Sequence, residues 1–284
     1  FSVGFYLNFT FFIDILKSYC HTELILYLYS DLHIQQTKFL LYLRRRFMYL
    51  SDIHTHSVAS GHGTSCTISD MAKAASARGL KLLGITDHGP GTLAAGTSSY
   101  FRSLLYSPRK RFGIELLYGV ELNILDTKGS VDLEEDLLNE LDYAIASMHG
   151  QNFKSGSAEE NTTAYLNVMK HPAVKILGHC DNPHFPVDFE TLAVAAREYG
   201  VIFEINEASL APYGYRGDTR ANNKEILRCC RKYEIPVVLS SDSHGTEHIG
   251  DFTYAEALIH EEMFPQTLLL NNNIPRLKMI LSQR

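Results

Sequence analysis

From residue 49 onward, short apolar runs alternate with segments of helical periodicity, and this alternation limits the fold more than any other feature of the chain. YLSDI (49–53), KLLGIT (81–86), IELLYGVEL (114–122), YAIAS (143–147), VKILG (174–178), VIFEIN (201–206) and PVVLSS (236–241) read as strands. Between them, SDMAKAASARG (69–79), VDLEEDLLNEL (131–141), a stretch near 159–170, FETLAVAAREYG (189–200) and NKEILRCCRKYE (223–234) space their apolar residues for helix faces. Ser69 reads as the N-cap of the first helix with Gly79 just past its end, and Gly200 ends the fourth. Strands that alternate with helices build βα units on a parallel sheet, so the fold class is α/β. Seven such units in about 235 residues fit a closed TIM-like (β/α)7 barrel better than an open sheet.

Residues 1–47 break the pattern. FSVGFYLNFTFFIDILKSYC is rich in Phe and Tyr but is interrupted by Asn8, Asp14 and Lys17. No run reaches the roughly 18–20 apolar residues that span a bilayer, and the basic start and small-residue cleavage site of a signal peptide are missing. Met48 stands directly before YLSDIHTH. The expectation is a spurious or disordered extension over 1–47 and a working domain over 48–284, with a membrane-surface anchor as the other reading of the extension.

The 284 residues are 45% hydrophobic and 20% charged, enough for one large domain or two small ones. The net charge is −6, with no basic run outside Arg44–Arg46, which excludes the electrostatic footprint of a protein whose main partner is nucleic acid. The five cysteines are odd in number and form no CxxC pair, so a disulfide framework is not expected and a reducing cytoplasm is. No membrane partner is expected, and a homo-oligomer is compatible with the sequence.

Potential metal donors fall where the strands end. His54, His56 and His62 follow the first, Asp87 and His88 the second, and Glu121 closes the third. His149 follows the fourth, His179 the fifth, and Asp242 and His244 the seventh. In a barrel of parallel strands these ends open on one face, so residues distant in sequence converge. On an extended segment, His54 and His56 point to the same side and can hold one ion together. Seven imidazoles with Glu121 and Asp242 suit zinc, with manganese or iron as alternatives, and do not suit magnesium or calcium. Nine donors are too many for one tetrahedral ion and suit two or three. His21, His33, His171, His184, His248 and His260 keep a structural reading, as do Cys66 and Cys180.

DIHTHSVASGH, ITDHGPG, GVELNI, ASMHG, ILGHCDNP and SSDSH, in this order, resemble the PHP (polymerase and histidinol phosphatase) superfamily, most closely its stand-alone bacterial phosphatase branch. The resemblance covers 48–284 almost throughout and none of 1–47. It implies a distorted seven-stranded barrel, a trinuclear zinc centre and phosphoesterase activity. Carried over by motif, His54, His56, Glu121 and Asp242 hold one ion. Glu121 bridges to a second that His149 and His179 complete, and His62, His88 and His244 hold a third. The chain departs from the family at INEAS (205–209), where Glu207 and Ala208 replace a common asparagine and serine pattern and put substrate contacts near this loop in doubt. Arg216 lies where relatives place an arginine and is a candidate for binding substrate. Arg109 and Arg111 are harder to match.

The expected reaction is hydrolysis of a small phosphorylated metabolite, a phosphate monoester, by a metal-bound hydroxide. Asp242 orients the water and Arg216 assists on the phosphoryl oxygens. No Ser-His-Asp or Cys-His arrangement competes, and the Gly-rich segments are not a GxxxxGK loop. Alternatives are a histidinol-phosphate phosphatase, a nuclease-type phosphodiesterase, an amide hydrolase that shares the HxH motif, and a non-catalytic metal-binding module. No lysine stands at a central strand end to bridge two ions as many amide hydrolases require.

Overall fold

Buried strands with few polar interruptions pair in parallel when helices cover their outer faces, and the structure, a computed structural model that describes residues 49–283, follows that rule. One sheet runs β1 (Ser51–Asp52), β2 (Leu82–Ile85), β4 (Ile114–Tyr118) and β3 (Lys110–Arg111), parallel except for the short β3–β4 hairpin. The other is wholly parallel and runs in sequence order through β5 (Val120–Asn123), β6 (Ala144–Ser147), β7 (Val174–Leu177), β8 (Ile202–Asn206) and β9 (Val237–Ser240). The 1–47 expectation lies outside the described residues.

The single third strand expected over 114–122 divides at Gly119 into β4 and β5, which belong to different sheets. A Cβ at Gly119 would stand 2.6 Å from the Tyr143 carbonyl oxygen, so only glycine lets β6 approach the bend. The sheets meet beyond the ladder ends. His88, after β2, bridges Glu121 of β5, and Thr55, after β1, bridges Ser243, after β9. Between β1 and β9 the Asn271 side chain stands in for ladder bonds, donating to Ser51 O (3.0 Å) and Leu239 O (2.8 Å) and accepting from Leu239 N (2.8 Å).

Helices α1 (Ile68–Ala77), α2 (Ser98–Leu104), α3 (Glu135–Glu140), α4 (Ala158–Val168), α5 (Phe189–Tyr199), α6 (Glu207–Leu210), α7 (Arg220–Tyr233), α8 (Thr253–Glu261) and α9 (Ile274–Leu281) connect and cover the strands. Helix α5 ends on Gly200 in the left-handed region as expected. The N-cap of α1 is Thr67 instead of Ser69: Thr67 and Asp70 form a reciprocal capping box, while the Ser69 hydroxyl accepts a bond from Arg111. An inner apolar cluster draws Ile53 from just past β1 and Leu82, Leu117, Ile145, Ile176, Ile202 and Val238 from β2, β4, β6, β7, β8 and β9, with Leu277 and Leu281 of α9 packed against them. A larger layer fills the space between sheets and outer helices. Among the described residues no helix is long and apolar enough to cross a membrane, and Cys66, Cys180, Cys229 and Cys230 are free thiols.

Candidate metal centre

The expected donors come from the C-terminal ends of both sheets, and the structure brings all nine together around Glu121. Beyond β1 the backbone stays extended and alternates. Thr55 turns to β2 and hydrogen-bonds Gly84 O at 2.7 Å, while His54 and His56 turn inward, both fully buried. From Glu121 Oε2, His54 Nε2 is 3.4 Å away, His56 Nε2 3.5 Å and His88 Nδ1 2.6 Å. From Oε1, His179 Nε2 is 2.8 Å away and His149 Nε2 3.4 Å. Asp242 closes the other side, its Oδ1 3.1 Å from His56 Nε2 and 3.8 Å from His54 Nε2. The His244 ring lies 4.2 Å from His56, and the His62 ring 4.8 Å from His88. Three of these donors, His62, His179 and Asp242, hold positive φ, a strain that persists where the surrounding fold over-determines a functional position.

The inward atoms lack ordinary partners. His54 Nε2, His56 Nε2, His88 Nδ1, Glu121 Oε2, His149 Nε2 and His179 Nδ1 are buried without a hydrogen bond. His88 Nδ1 and Glu121 Oε2 are close but not aligned as one. Buried polar atoms are satisfied in the great majority of native sites; setting aside His179 Nδ1, which lies across its ring from the Nε2 that meets Glu121, the five remaining orphans gathered at Glu121 fit a cationic occupant. The donor atoms fall into three overlapping groups that could each hold an ion: His54 with His56 and Glu121, His88 with Glu121 and His149, and His56 with His88 and His244.

Sequence reasoning missed the residues that fix these rings. Glu204, mid-strand in β8 and fully enclosed, accepts from His54 Nδ1 at 2.6 Å and from the His179 backbone N–H at 2.7 Å. Ser60 bonds His56 Nδ1 at 2.8 Å and donates to Asp87 Oδ1 at 2.6 Å. Asn123 bonds His149 Nδ1 at 2.7 Å and is itself held by Asp132 at 2.5 Å. Such partners fix the tautomer and ring orientation of a metal-binding histidine. A signal for Glu204 existed: a lone carboxylate in an otherwise apolar, buried strand must find a partner.

Charge within the cluster is mutually dependent. Burial alone would keep His54 neutral, but Glu204, Glu121 and Asp242 outweigh it and hold its pKa well above the ordinary imidazole value. His56 is driven the opposite way by burial and by His244 and His88. Burial, then the Arg216 cation, lowers His179 to about 4. Burial opposes ionisation of Glu121, yet His54, His88 and His149 hold it well below the usual carboxylate range.

Arg216 is 3% exposed and reaches the cluster through Asp242 Oδ2 at 2.8 Å, with Ser209 Oγ at 3.2 Å. Arg109 and Arg111 do not reach it: Arg109 pairs with Asp142 and Arg111 bonds Ser69. Glu207 also faces elsewhere. Its carboxylate accepts from the backbone N–H groups of Tyr254 (3.0 Å) and Ala255 (2.8 Å), at the start of α8, so the INEAS departure serves a helix end. Cys180 is buried in the outer apolar layer. A cavity of about 510 Å³ opens over the cluster, lined by His62, His88, His149, His179, His244, Arg216, Tyr215, Thr92, Met148, Phe185, Gln151, Asn152 and Asn182.

The chain has known relatives. Residues 52–210 match the PHP domain model. Over 236 residues the chain is 39% identical to a protein of Clostridium novyi named "Probable phosphatase", covering 83% of this chain and 96% of that one. It is likewise 39% identical over 225 residues to a "Probable phosphatase" of Clostridium acetobutylicum, covering 79% and 91%. Its fold is similar to that of the histidinol phosphate phosphatase of Lactococcus lactis, solved with zinc, L-histidinol and phosphate (TM-score 0.56, 17% identity, 76% of this chain and 95% of that one). It is similar also to a chain of an archaeal ribonuclease P solved with mature tRNA (TM-score 0.52, 14% identity, 81% and 89%). The chain belongs to the PHP domain family.

Proposed function

We propose that this chain is a metal-dependent phosphatase that hydrolyses small phosphate monoesters. The carrying observation is the set of five buried donor atoms without partners, those of His54, His56, His88, His149 and Glu121 itself, assembled from the ends of both sheets. The names of the curated relatives support the reaction class, a hydrolase of phosphoric ester bonds. The inner cluster, fed by β2, β4 and β6 to β9 with Ile53 just past β1, supports the seven-stranded barrel as the frame that gathers the donors.

His54, His56, Glu121 and Asp242 would hold one zinc ion, Glu121 with His149 and His179 a second, and His62, His88 and His244 a third. Zinc bound there supplies Lewis acidity toward phosphoryl oxygens and lowers the pKa of water toward ~7. The chain's own groups do the remaining work. Glu204, Ser60 and Asn123 hold the imidazoles in one tautomer, so no ring must reorient when substrate arrives. Arg216 and Asn206 occupy Asp242 Oδ2, at 2.8 and 3.2 Å, which leaves Oδ1 to orient the attacking water. Arg216, on the cavity wall, assists on the non-bridging oxygens as negative charge develops. Such a cationic mouth on a chain of net charge −6 selects a dianion by local field instead of overall charge.

The test is hydrolysis of p-nitrophenyl phosphate by the purified protein, beside His149→Ala and His179→Ala. Turnover that both substitutions abolish, with metal content reduced, is the expected result. Full metal content with no turnover on any phosphate ester would leave a binding module and defeat the proposal.

A further inference from the structure

The cavity above the cluster must hold whatever the phosphate is attached to, so its wall selects the leaving group. Among the described residues that line it, no Asp, Glu or Lys is present. Carboxylates close to that wall are already committed, Asp87 to Ser57 N–H and Ser60 Oγ, both at 2.6 Å. Asp181 accepts from Asn223 Nδ2 at 2.5 Å and Ser209 Oγ at 3.2 Å, and Asp132 from Asn123 Nδ2 at 2.5 Å and Gly91 N at 2.8 Å. Glu121 and Asp242 face the metal donors. Arg216 is the guanidinium on the wall, and Asp242 and Ser209 hold it. What remains beside the imidazoles is uncharged: the amides of Gln151, Asn152 and Asn182, the hydroxyl-bearing Thr92 and Tyr215, and apolar Met148 and Phe185, with the Tyr215 ring already covered by the Arg216 guanidinium.

We propose that the substrate is a phosphate monoester of an uncharged, hydroxyl-bearing leaving group. This rests on the phosphatase reading and narrows it. An ammonium in this cavity would meet no carboxylate, and the cations the cluster is built to hold would repel it. A carboxylate on the leaving group would find Arg216 already held by Asp242 and Ser209, and would compete with the phosphate itself for the cationic cluster. Hydroxyl groups, by contrast, can both donate to and accept from the amides of Gln151 and Asn182, while carbon faces rest on Met148 and Phe185. L-histidinol carries an amine as well as an imidazole, so its phosphate is the ester this wall suits least. The common fold with a histidinol phosphate phosphatase does not extend to a common leaving group.

The experiment compares kcat/KM for three esters on the metal-loaded protein: glycerol phosphate, L-histidinol phosphate and phosphoglycerate. Glycerol phosphate should exceed each of the others by at least about tenfold, the scale of a site that leaves a buried group unpaired. Asn182→Asp, and separately the exposed Gln151→Glu, should raise the ratio of histidinol phosphate to glycerol phosphate by about fivefold or more, since each supplies the missing carboxylate. Equal or better turnover of the histidinol or glycerate ester by the unaltered protein would overturn the proposal, as would ratios unmoved in both variants. Inactivity toward all three esters and toward p-nitrophenyl phosphate would instead defeat the phosphatase reading, and this inference with it.

Discussion

The floor and the rim of the donor cluster are built differently. On the floor, His54, His56, Glu121 and His179 are almost wholly enclosed, and His54 and His56 have their outer nitrogens fixed by Glu204 and Ser60. On the rim, His62 is exposed and has only ring neighbours, while His244 is about one-third exposed and leans on the Asp242 backbone carbonyl at 3.1 Å. The difference teaches that chemistry-bearing residues need two kinds of support. Burial with a hydrogen-bonded partner gives a fixed electrostatic site, and a rim position gives a side chain open to whatever enters the cavity.

The sharpest way to break the comparison is Glu121→Gln. This carboxylate contacts donors from both sheets, so its removal should lower kcat/KM on p-nitrophenyl phosphate by about a thousandfold or more and reduce bound metal. Activity within tenfold of the parent would mean that the floor does not organise the site. Next in size, Glu204→Gln should weaken metal binding about 10–100-fold by metal titration, because it loosens the anchor of His54 without removing a donor. An unchanged affinity would place Glu204 in packing only. On the rim, His62→Ala should lower activity by less than Glu204→Gln and be partly offset by excess zinc. A larger loss than the floor anchor shows would reverse the ranking.

The smallest effect concerns a carboxylate outside both regions. Burial raises the Glu207 pKa from 4.5 to about 7, opposed by the N–H groups of Tyr254 and Ala255. The folded chain therefore holds a proton that the unfolded chain releases above its ordinary pKa. The stability Glu207 contributes is fully present below about pH 4.5 and is lost as pH rises toward 7. Glu207→Gln should flatten that part of a plot of unfolding midpoint against pH and leave p-nitrophenyl phosphate turnover within about twofold. A large loss of turnover would return this loop to the site.

Much of the site was legible in the sequence because metal ligation restricts residue type, and strand alternation sets which neighbours share a side. HxH after one strand and single donors after four others need no tertiary knowledge to be grouped. The anchors were not legible in that way. Ser60 and Asn123 are ordinary loop and strand residues whose roles depend on which ring they meet, and Asp87, a strand-end candidate for a donor, instead accepts from Ser57 and Ser60. Glu204 was the exception, a charge with no opposite charge beside it in VIFEIN, where only the Asn206 amide reaches it, at 3.0 Å.

The same division holds for the fold. The expected strands are present, trimmed at their ends, but the break at Gly119 depends on Tyr143 from the next strand. The N-cap of α8, Phe252, has no polar side chain to cap with, and Glu207, remote in sequence, accepts from Tyr254 and Ala255 N–H instead. Helix α9 did carry local signals, Asn273 as N-cap with Pro275 in the first turn, and was passed over.

Metal content measured against turnover tests the central claim most directly. Elemental analysis of the purified protein should find more than one zinc-type divalent ion per chain. Phosphatase activity should vanish on chelation and return when the metal is restored. Undiminished hydrolysis by a chelated, metal-free chain would contradict it.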